Sequence, residues 1–155
     1  MKYMINEIEI IINNKVLEDL NKLFEFCQRF ETGGILLGKF SRKKKIIEVD
    51  EIHEIKATNS SCVTYRRNVD MAQKIIDKRW KETNGLLNYV GEWHTHPKMT
   101  ALPSQADIFS LIDIISKTET ILPGTIMIIV GNNGELTITV GNRETIQSYL
   151  FANIK

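Results

Sequence analysis

Two histidines one residue apart, His94 and His96, stand immediately before Pro97; Ser104 follows after seven residues and Asp107 three positions later. In an extended chain, residues i and i+2 share a face and lie roughly 6.5 to 7 Å apart along the backbone, so the two imidazoles can converge on one ion. Pro97 ends the strand and leaves His96 at its rim, where a ligand can reach it. Asp107 enters from the first turn of the next helix. Two imidazoles and one carboxylate suit a tetrahedral ion such as zinc with its fourth position open, the layout of a hydrolytic centre rather than a closed structural one.

Each part also has a plainer account. Paired histidines fill core or surface faces, and Ser104-x-x-Asp107 is close to a helix capping box, which alone explains both residues. The two accounts are compatible, because a capped first turn can still aim Asp107 at a metal. The joint spacing favours the metal. A hydrolytic ion needs a base for its water, and two glutamates compete for that role. Glu92 shares a strand face with His94 and His96, as base or fourth ligand. Glu31 precedes Thr32-Gly33-Gly34, where a helix gives way to a buried strand. Composition and periodicity do not separate them.

The elements that must position these residues follow from apolar spacing. Residues 3 to 12, rich in isoleucine, read as a strand. Residues 16 to 29 have helical spacing in Val16, Leu20, Leu23, Phe24 and Cys27, after a turn at Asn13-Asn14. Residues 33 to 38 read as a buried strand bounded by glycine, and a second strand spans about 46 to 56, beyond the basic turn Arg42-Lys43-Lys44-Lys45. Residues 57 to 63 form a polar loop. A helix over 69 to 82 is expected to bury Val69, Ala72, Ile76 and Trp80 and to end at Asn84-Gly85. Residues 87 to 96 form the strand that carries the histidines, with Trp93 pointing away from the metal into the core. A loop over 97 to 103 leads to a helix over 104 to 116, whose Ile108, Leu111, Ile112 and Ile115 face inward. Residues 126 to 130 and 136 to 140 form a hairpin around Gly131-Asn132-Asn133-Gly134. The stretch from 143 to 151 is either a strand or a short helix. Strands and helices mix without a regular βαβ rhythm, which fits α+β or mixed α/β better than a doubly wound sheet.

The remaining properties exclude more than they assign. The chain has 155 residues, fitting one domain, and its 43% apolar and 25% charged content is ordinary for globular proteins. Twenty basic against nineteen acidic side chains leave no electrostatic case for nucleic acid or an anionic membrane. Residues 1 to 7 carry charge where a signal peptide has an apolar core, and no apolar run reaches membrane-spanning length, so a cytoplasmic protein is expected. Two cysteines make no disulfide framework: Cys27 reads as a small core residue, and Cys62 lies in a polar stretch with no adjacent base. His53 reads as a packed or surface histidine. Tyr65 to Arg67 precede a helix and could meet substrate, although solvent exposure is the plainer reading.

His94-x-His96, seven residues, Ser104-x-x-Asp107, with Glu31 before a Gly-rich strand, resembles the JAMM motif of the JAB/MPN metalloprotease family. The similarity covers most of the chain, from Glu31-Thr32-Gly33-Gly34-Ile35-Leu36-Leu37-Gly38 to the helix after Asp107. It implies a single MPN/JAB-like (cytidine-deaminase-like) α+β domain over residues 1–155, with a curved mixed sheet flanked by helices and one catalytic Zn2+. By that resemblance His94, His96 and Asp107 hold the metal, Glu31 is the base that passes a proton to the leaving amine, and Ser104 steadies the oxyanion. Glu92 then becomes a neighbour of the site. The compact chain most resembles prokaryotic members. Gly91-Glu92-Trp93-His94-Thr95-His96-Pro97 and Tyr65-Arg66-Arg67 look like the deconjugating peptidases encoded beside E1/E2-like enzymes in CBASS antiphage operons. The implied substrate is the C-terminus of a ubiquitin-like or E1/E2-conjugated protein. A peptidase that matures a sulfur-carrier or ubiquitin-like precursor is the enzymatic alternative, and a non-catalytic MPN-type binding module is the third reading.

Overall fold

The isoleucine-rich start of the chain is two strands, not the single strand expected over residues 3 to 12. β1 (Lys2–Ile5) and β2 (Ile8–Ile12) are joined by Asn6 and Glu7, whose φ angles are 51° and 61°. Ile5 pairs directly with Ile8. A two-residue turn with both residues left-handed matches the twist of its flanking strands, and isoleucines on either side conceal it in the sequence. The structure, a computed structural model, describes residues 1–26, 30–55, 68–118 and 121–151. Cys27, Cys62, the loop over 57 to 63 and Tyr65 to Arg67 lie outside them.

α1 (Asn14–Phe26) starts where the Asn13 side chain accepts the Lys15 N–H at 3.0 Å, and it buries Val16, Leu17 and Leu20. β3 (Gly33–Ser41), β4 (Ile46–Glu54), β5 (Asn88–Thr95), β6 (Thr125–Val130), β7 (Leu136–Gly141) and β8 (Ile146–Phe151) complete one eight-stranded sheet. Its order is β1-β2-β4-β3-β5-β6-β7-β8. The β2–β4 and β5–β6 pairs are parallel and the other pairs antiparallel, so the sheet is mixed. Tyr3 on β1 and Phe151 on β8 meet with ring centroids 4.2 Å apart, so the two edges curl until the sheet nearly closes. The stretch from 143 to 151, open between strand and helix in the sequence, supplies that last edge as β8.

α1 packs with Ile10, Ile12, Val90, Trp93, Ile126, Ile128 and Val140 in the largest core cluster. Each such side chain contributes about 1.5–3 kcal/mol when fully buried. Trp93 is fully buried there, pointing into the core as its alternation with His94 predicts. Elsewhere α2 (Val69–Glu82) lies on Ile35 and Leu37 through Ala72, Ile75 and Ile76. α3 (Gln105–Lys117) lies on Met127 and Ile129 through Leu111, Ile115 and Ile108.

Three residues expected inside are exposed: Val69, Trp80 and Ile112. α2 touches the sheet through one narrow stripe, which Val69 at its first position misses. Trp80 instead lies over Gly85 (φ +79°), where an added Cβ would come within 3.1 Å of the indole, so the ring packs on the turn that ends the helix. Ile112 is one step around α3 from the buried Leu111, and it lines a surface groove with Ile146 and Arg143. Among the described residues no helix is long and apolar enough to cross a membrane.

Candidate metal centre

The site forms where the start of β3, the end of β5 and the first turn of α3 meet. Gly33 pairs with His94 in the antiparallel β3–β5 register. One step further, Thr95 donates its N–H to the Thr32 carbonyl at 2.8 Å, and the Thr95 Oγ1 accepts the Thr32 N–H at 3.1 Å. The next residue along this register is Glu31, which is thereby carried to the histidines. Gly34 permits the approach of β4 behind it, since a Cβ there would lie 1.8 Å from the His53 carbonyl oxygen. Thr32 Oγ1 also donates to the Glu54 carboxylate at 2.7 Å.

On the other side, β5 continues beside β6 as far as His96, whose N–H donates to the Val130 carbonyl at 2.8 Å. The chain then turns, with Lys98 at φ +61°, and returns the Thr100 carbonyl to His96 Nδ1 at 3.2 Å. Asp107 comes from a true capping box. Ser104 Oγ accepts the Asp107 N–H at 3.2 Å, and Asp107 Oδ2 accepts the Ser104 N–H at 2.6 Å. The two accounts of this motif therefore hold together, because the same capped turn aims Asp107 at the histidines.

Among the described residues, Glu31, His94, His96 and Asp107 bring ligand atoms within 4.8 Å of one another. His94 Nε2 and His96 Nε2 are 3.1 Å apart, His94 Nε2 and Asp107 Oδ1 3.2 Å, and His96 Nε2 and Asp107 Oδ2 3.4 Å. Bond lengths of about 2.0–2.2 Å to a tetrahedral zinc put neighbouring donor atoms about 3.3 Å apart. The three side chains thus stand at the spacing of neighbouring ligands on such an ion, each imidazole facing its own oxygen of Asp107. Glu31 Oε1 is 3.9 Å from His94 Nε2, longer than that edge and suited to a group beside the open position. The donor chemistry, two imidazoles and a carboxylate, fits a divalent ion of the zinc type.

The electrostatics agree. Burial disfavours the charged Asp107 carboxylate, but hydrogen bonds from His94 and His96 and the His94 charge outweigh it and hold its pKa well below the usual range. Burial likewise opposes protonation of His96, yet the hydrogen bond and charge of Asp107, with the Thr100 carbonyl and Glu31 behind them, raise its pKa. The two shifts have one origin, the contact between the carboxylate and the imidazoles, which favours the charged form of each partner.

Other residues singled out by sequence fall elsewhere. Glu92 is not in the cluster, and its Oε1 accepts the Tyr89 hydroxyl at 3.2 Å. The β3–β5 register shifts between Leu36–Gly91 and Leu37–Tyr89, and this bulge puts Tyr89 and Glu92 within reach of each other. His53 pairs with Glu51 at 2.9 Å, outside the cluster. Ser104 is exposed at the helix start. Its Oγ accepts a hydrogen bond there, which leaves the hydroxyl proton available to donate. Thr32, Thr95 and the Thr100 carbonyl, which fix the geometry, were not singled out by sequence. Thr95 was nonetheless visible as a polar residue in an otherwise buried strand end.

Two imidazoles and a carboxylate on the rim of a curved mixed sheet, with a second carboxylate beside them, form a group that could hold a metal ion. Residues 20–145 match the family of prokaryotic homologs of the JAB domain, and the chain belongs to it. It is 33% identical over 125 residues, 80% of this chain and 68% of the relative, to a CD-NTase/cGAS isopeptidase of Enterobacter hormaechei. A second CD-NTase/cGAS isopeptidase, from Escherichia coli, is 34% identical over 79% of this chain and 76% of the relative. A Sinorhizobium fredii protein named a probable metalloprotease is 26% identical over 77% of this chain and 74% of its own length. The solution structure of a Desulfitobacterium hafniense protein shares the fold, with a TM-score of 0.64 at 15% identity over 90% of this chain and 89% of that one. The chain is accordingly an enzyme of the peptidase and isopeptidase kind.

Proposed function

We propose that this protein is a zinc-dependent isopeptidase that cleaves after the C-terminal residue of a conjugated protein, reversing its attachment. His94, His96 and Asp107 are the ligands of one zinc ion, Glu31 is the general base and Ser104 the oxyanion donor. The observation that carries this reading is the spacing of the four clustered side chains, three at tetrahedral edge lengths and Glu31 just beyond. Zinc at that position supplies Lewis acidity, which makes water nucleophilic near neutral pH and polarises a carbonyl. Glu31 takes the proton of the attacking water and delivers it to the leaving amine, so one carboxylate serves both halves of the reaction. The Ser104 hydroxyl donates to the oxygen on which charge develops.

The substrate reading draws on the two relatives named CD-NTase/cGAS isopeptidases. The substrate these names support is an isopeptide-linked CD-NTase nucleotidyltransferase; its attachment through the C-terminus by E1/E2-like enzymes of an antiphage operon follows from the sequence resemblance. The cytoplasm is where such a conjugate would be met. The test is metal stoichiometry by mass spectrometry on wild type and His96→Ala, followed by incubation of the zinc-loaded protein with such a conjugate. One zinc per chain, lost in His96→Ala, together with release of the intact nucleotidyltransferase is expected. Wild type that holds no metal after zinc is offered back would overturn the proposal.

A further inference from the structure

Glu135 lies far along the chain from the histidines, at the end of the single turn of 3-10 helix (Asn132–Gly134) between β6 and β7. Its Oε2 nevertheless accepts the Ala101 backbone N–H at 3.1 Å, within the loop that follows the histidines. Ala101 is fully buried. The residue before it, Thr100, presents its carbonyl to His96 Nδ1 at 3.2 Å. A carbonyl can only accept, so this contact places a proton on Nδ1. In the neutral ring, the lone pair is then on Nε2, the nitrogen that faces His94 and Asp107.

The β6–β7 turn holds this loop in two further ways. Asn132 donates its N–H to the Met99 carbonyl at 2.9 Å. Gly131 lies so close that a Cβ on it would come 2.3 Å from the Ala101 nitrogen. Both of these are backbone features of the turn. The Glu135 carboxylate is a side-chain contribution, and bonds to an ionised acceptor are roughly twice as strong as neutral ones.

We infer that Glu135 is a positioning residue for the metal centre. Its carboxylate holds Ala101, and with it the Thr100 carbonyl, where that carbonyl fixes the tautomer and ring orientation of His96. Glu135 itself touches neither the cluster nor the open position. The inference rests on the reading of His96 as a metal ligand. Partners that orient a ligating histidine change metal affinity by about 10–100-fold when removed. An effect relayed through one peptide unit falls at the lower end of that range.

The experiment measures zinc affinity by chelator competition in the full chain, comparing wild type, Glu135→Ala, Glu135→Gln and His96→Ala. Glu135→Ala is expected to bind zinc about 10-fold more weakly, and Glu135→Gln, which keeps an oxygen acceptor, to stay within about 3-fold of wild type. Nitrogen NMR of the zinc-loaded protein adds a readout that simple loss of stability does not move. The His96 Nδ1–H resonance, protected in wild type and Glu135→Gln, is expected to exchange rapidly in Glu135→Ala. Should Glu135→Ala not fold, Glu135→Ser, too short to reach Ala101, takes its place in both measurements. Unchanged affinity and an unchanged Nδ1–H in the shortened variant, with zinc lost in His96→Ala, would overturn the positioning role. Wild-type zinc binding by His96→Ala would instead remove the ligand reading, and the inference with it.

Discussion

Thr95, the residue between the two histidines, is bonded to Thr32, the residue after Glu31, through both its backbone and its side chain. The strand that carries two members of the cluster and the segment that carries the fourth are therefore locked together at the point where both enter the site. Thr95 is fully buried. Replacing it with valine keeps the shape and removes the hydroxyl, leaving the Thr32 N–H without its acceptor. An unpaired buried donor costs about 1–3 kcal/mol of stability. Because small misplacements of a reacting group are costly, kcat is expected to fall about 10- to 100-fold with KM little changed. Thr95→Ser should restore most of both quantities. Equal kcat in wild type and Thr95→Val would show that Glu31 is placed by other contacts.

The two candidate bases are separated by one pair of variants. Glu31→Gln is expected to keep its zinc and to lose cleavage by about 10²–10⁴-fold, the usual contribution of a positioned acid–base group. Glu92→Gln should retain most activity, since its carboxylate bonds Tyr89 and stands outside the cluster. Metal content and single-turnover cleavage, measured on the same preparations, check both. A reversal of the two phenotypes would transfer the base to Glu92.

Much of this arrangement was legible in the residues, and the rest was hidden for identifiable reasons. The capping box, the Pro97 strand end and the inward Trp93 are local features, and local chemistry fixes them. The turn at Asn6-Glu7 was missed because neither residue is glycine and isoleucines flank it on both sides. The exposure of Val69, Trp80 and Ile112 could not be read from spacing, because periodicity finds the apolar side of a helix but not the width of the surface it meets. The choice between Glu31 and Glu92 was open until a family resemblance entered. Proximity of Glu31 depends on β3 pairing with β5, a contact between distant parts of the chain that no local window contains. The same holds for Glu135, whose bond to Ala101 exists only once β6 and β7 have formed.

Ser104 has two jobs in the proposed scheme, and one substitution separates them. As a cap it satisfies the Asp107 N–H; as an oxyanion donor it offers its hydroxyl proton. Alanine at a cap costs about 1 kcal/mol, but glycine only a few tenths. Ser104→Gly should therefore leave thermal stability nearly intact while lowering kcat about 10²–10³-fold, the typical loss of one oxyanion donor. Thermal melts and kcat on the zinc-loaded variant test this. A kcat near that of wild type would confine Ser104 to capping.

The last prediction concerns the attachment of α2 rather than the site. Arg79 on α2 grips Glu51 on β4 with two hydrogen bonds, from Nε at 2.9 Å and from Nη2 at 2.5 Å. The Arg79 hydrogen bond is the largest influence on the Glu51 carboxyl; with help from His53 it overcomes partial burial and holds the pKa below the usual 4.5. A carboxyl with a lower pKa folded than unfolded binds protons first in the unfolded chain. Its contribution is thus fully present above about pH 4.5 and is lost as pH falls through the folded value. Both side chains are partly exposed, so solvent screening limits the pair to about 1 kcal/mol. For a chain of this size that corresponds to about 2–4 °C in Tm. Metal-free Glu51→Gln should melt lower than metal-free wild type by that amount at pH 7, and the gap should close as both are taken below pH 4.5. Arg79→Lys, which keeps the charge but loses the fork, should show a smaller gap with the same pH dependence. A gap that persists unchanged to pH 3 would mean that the charge of Glu51 is not what stabilises the attachment of α2.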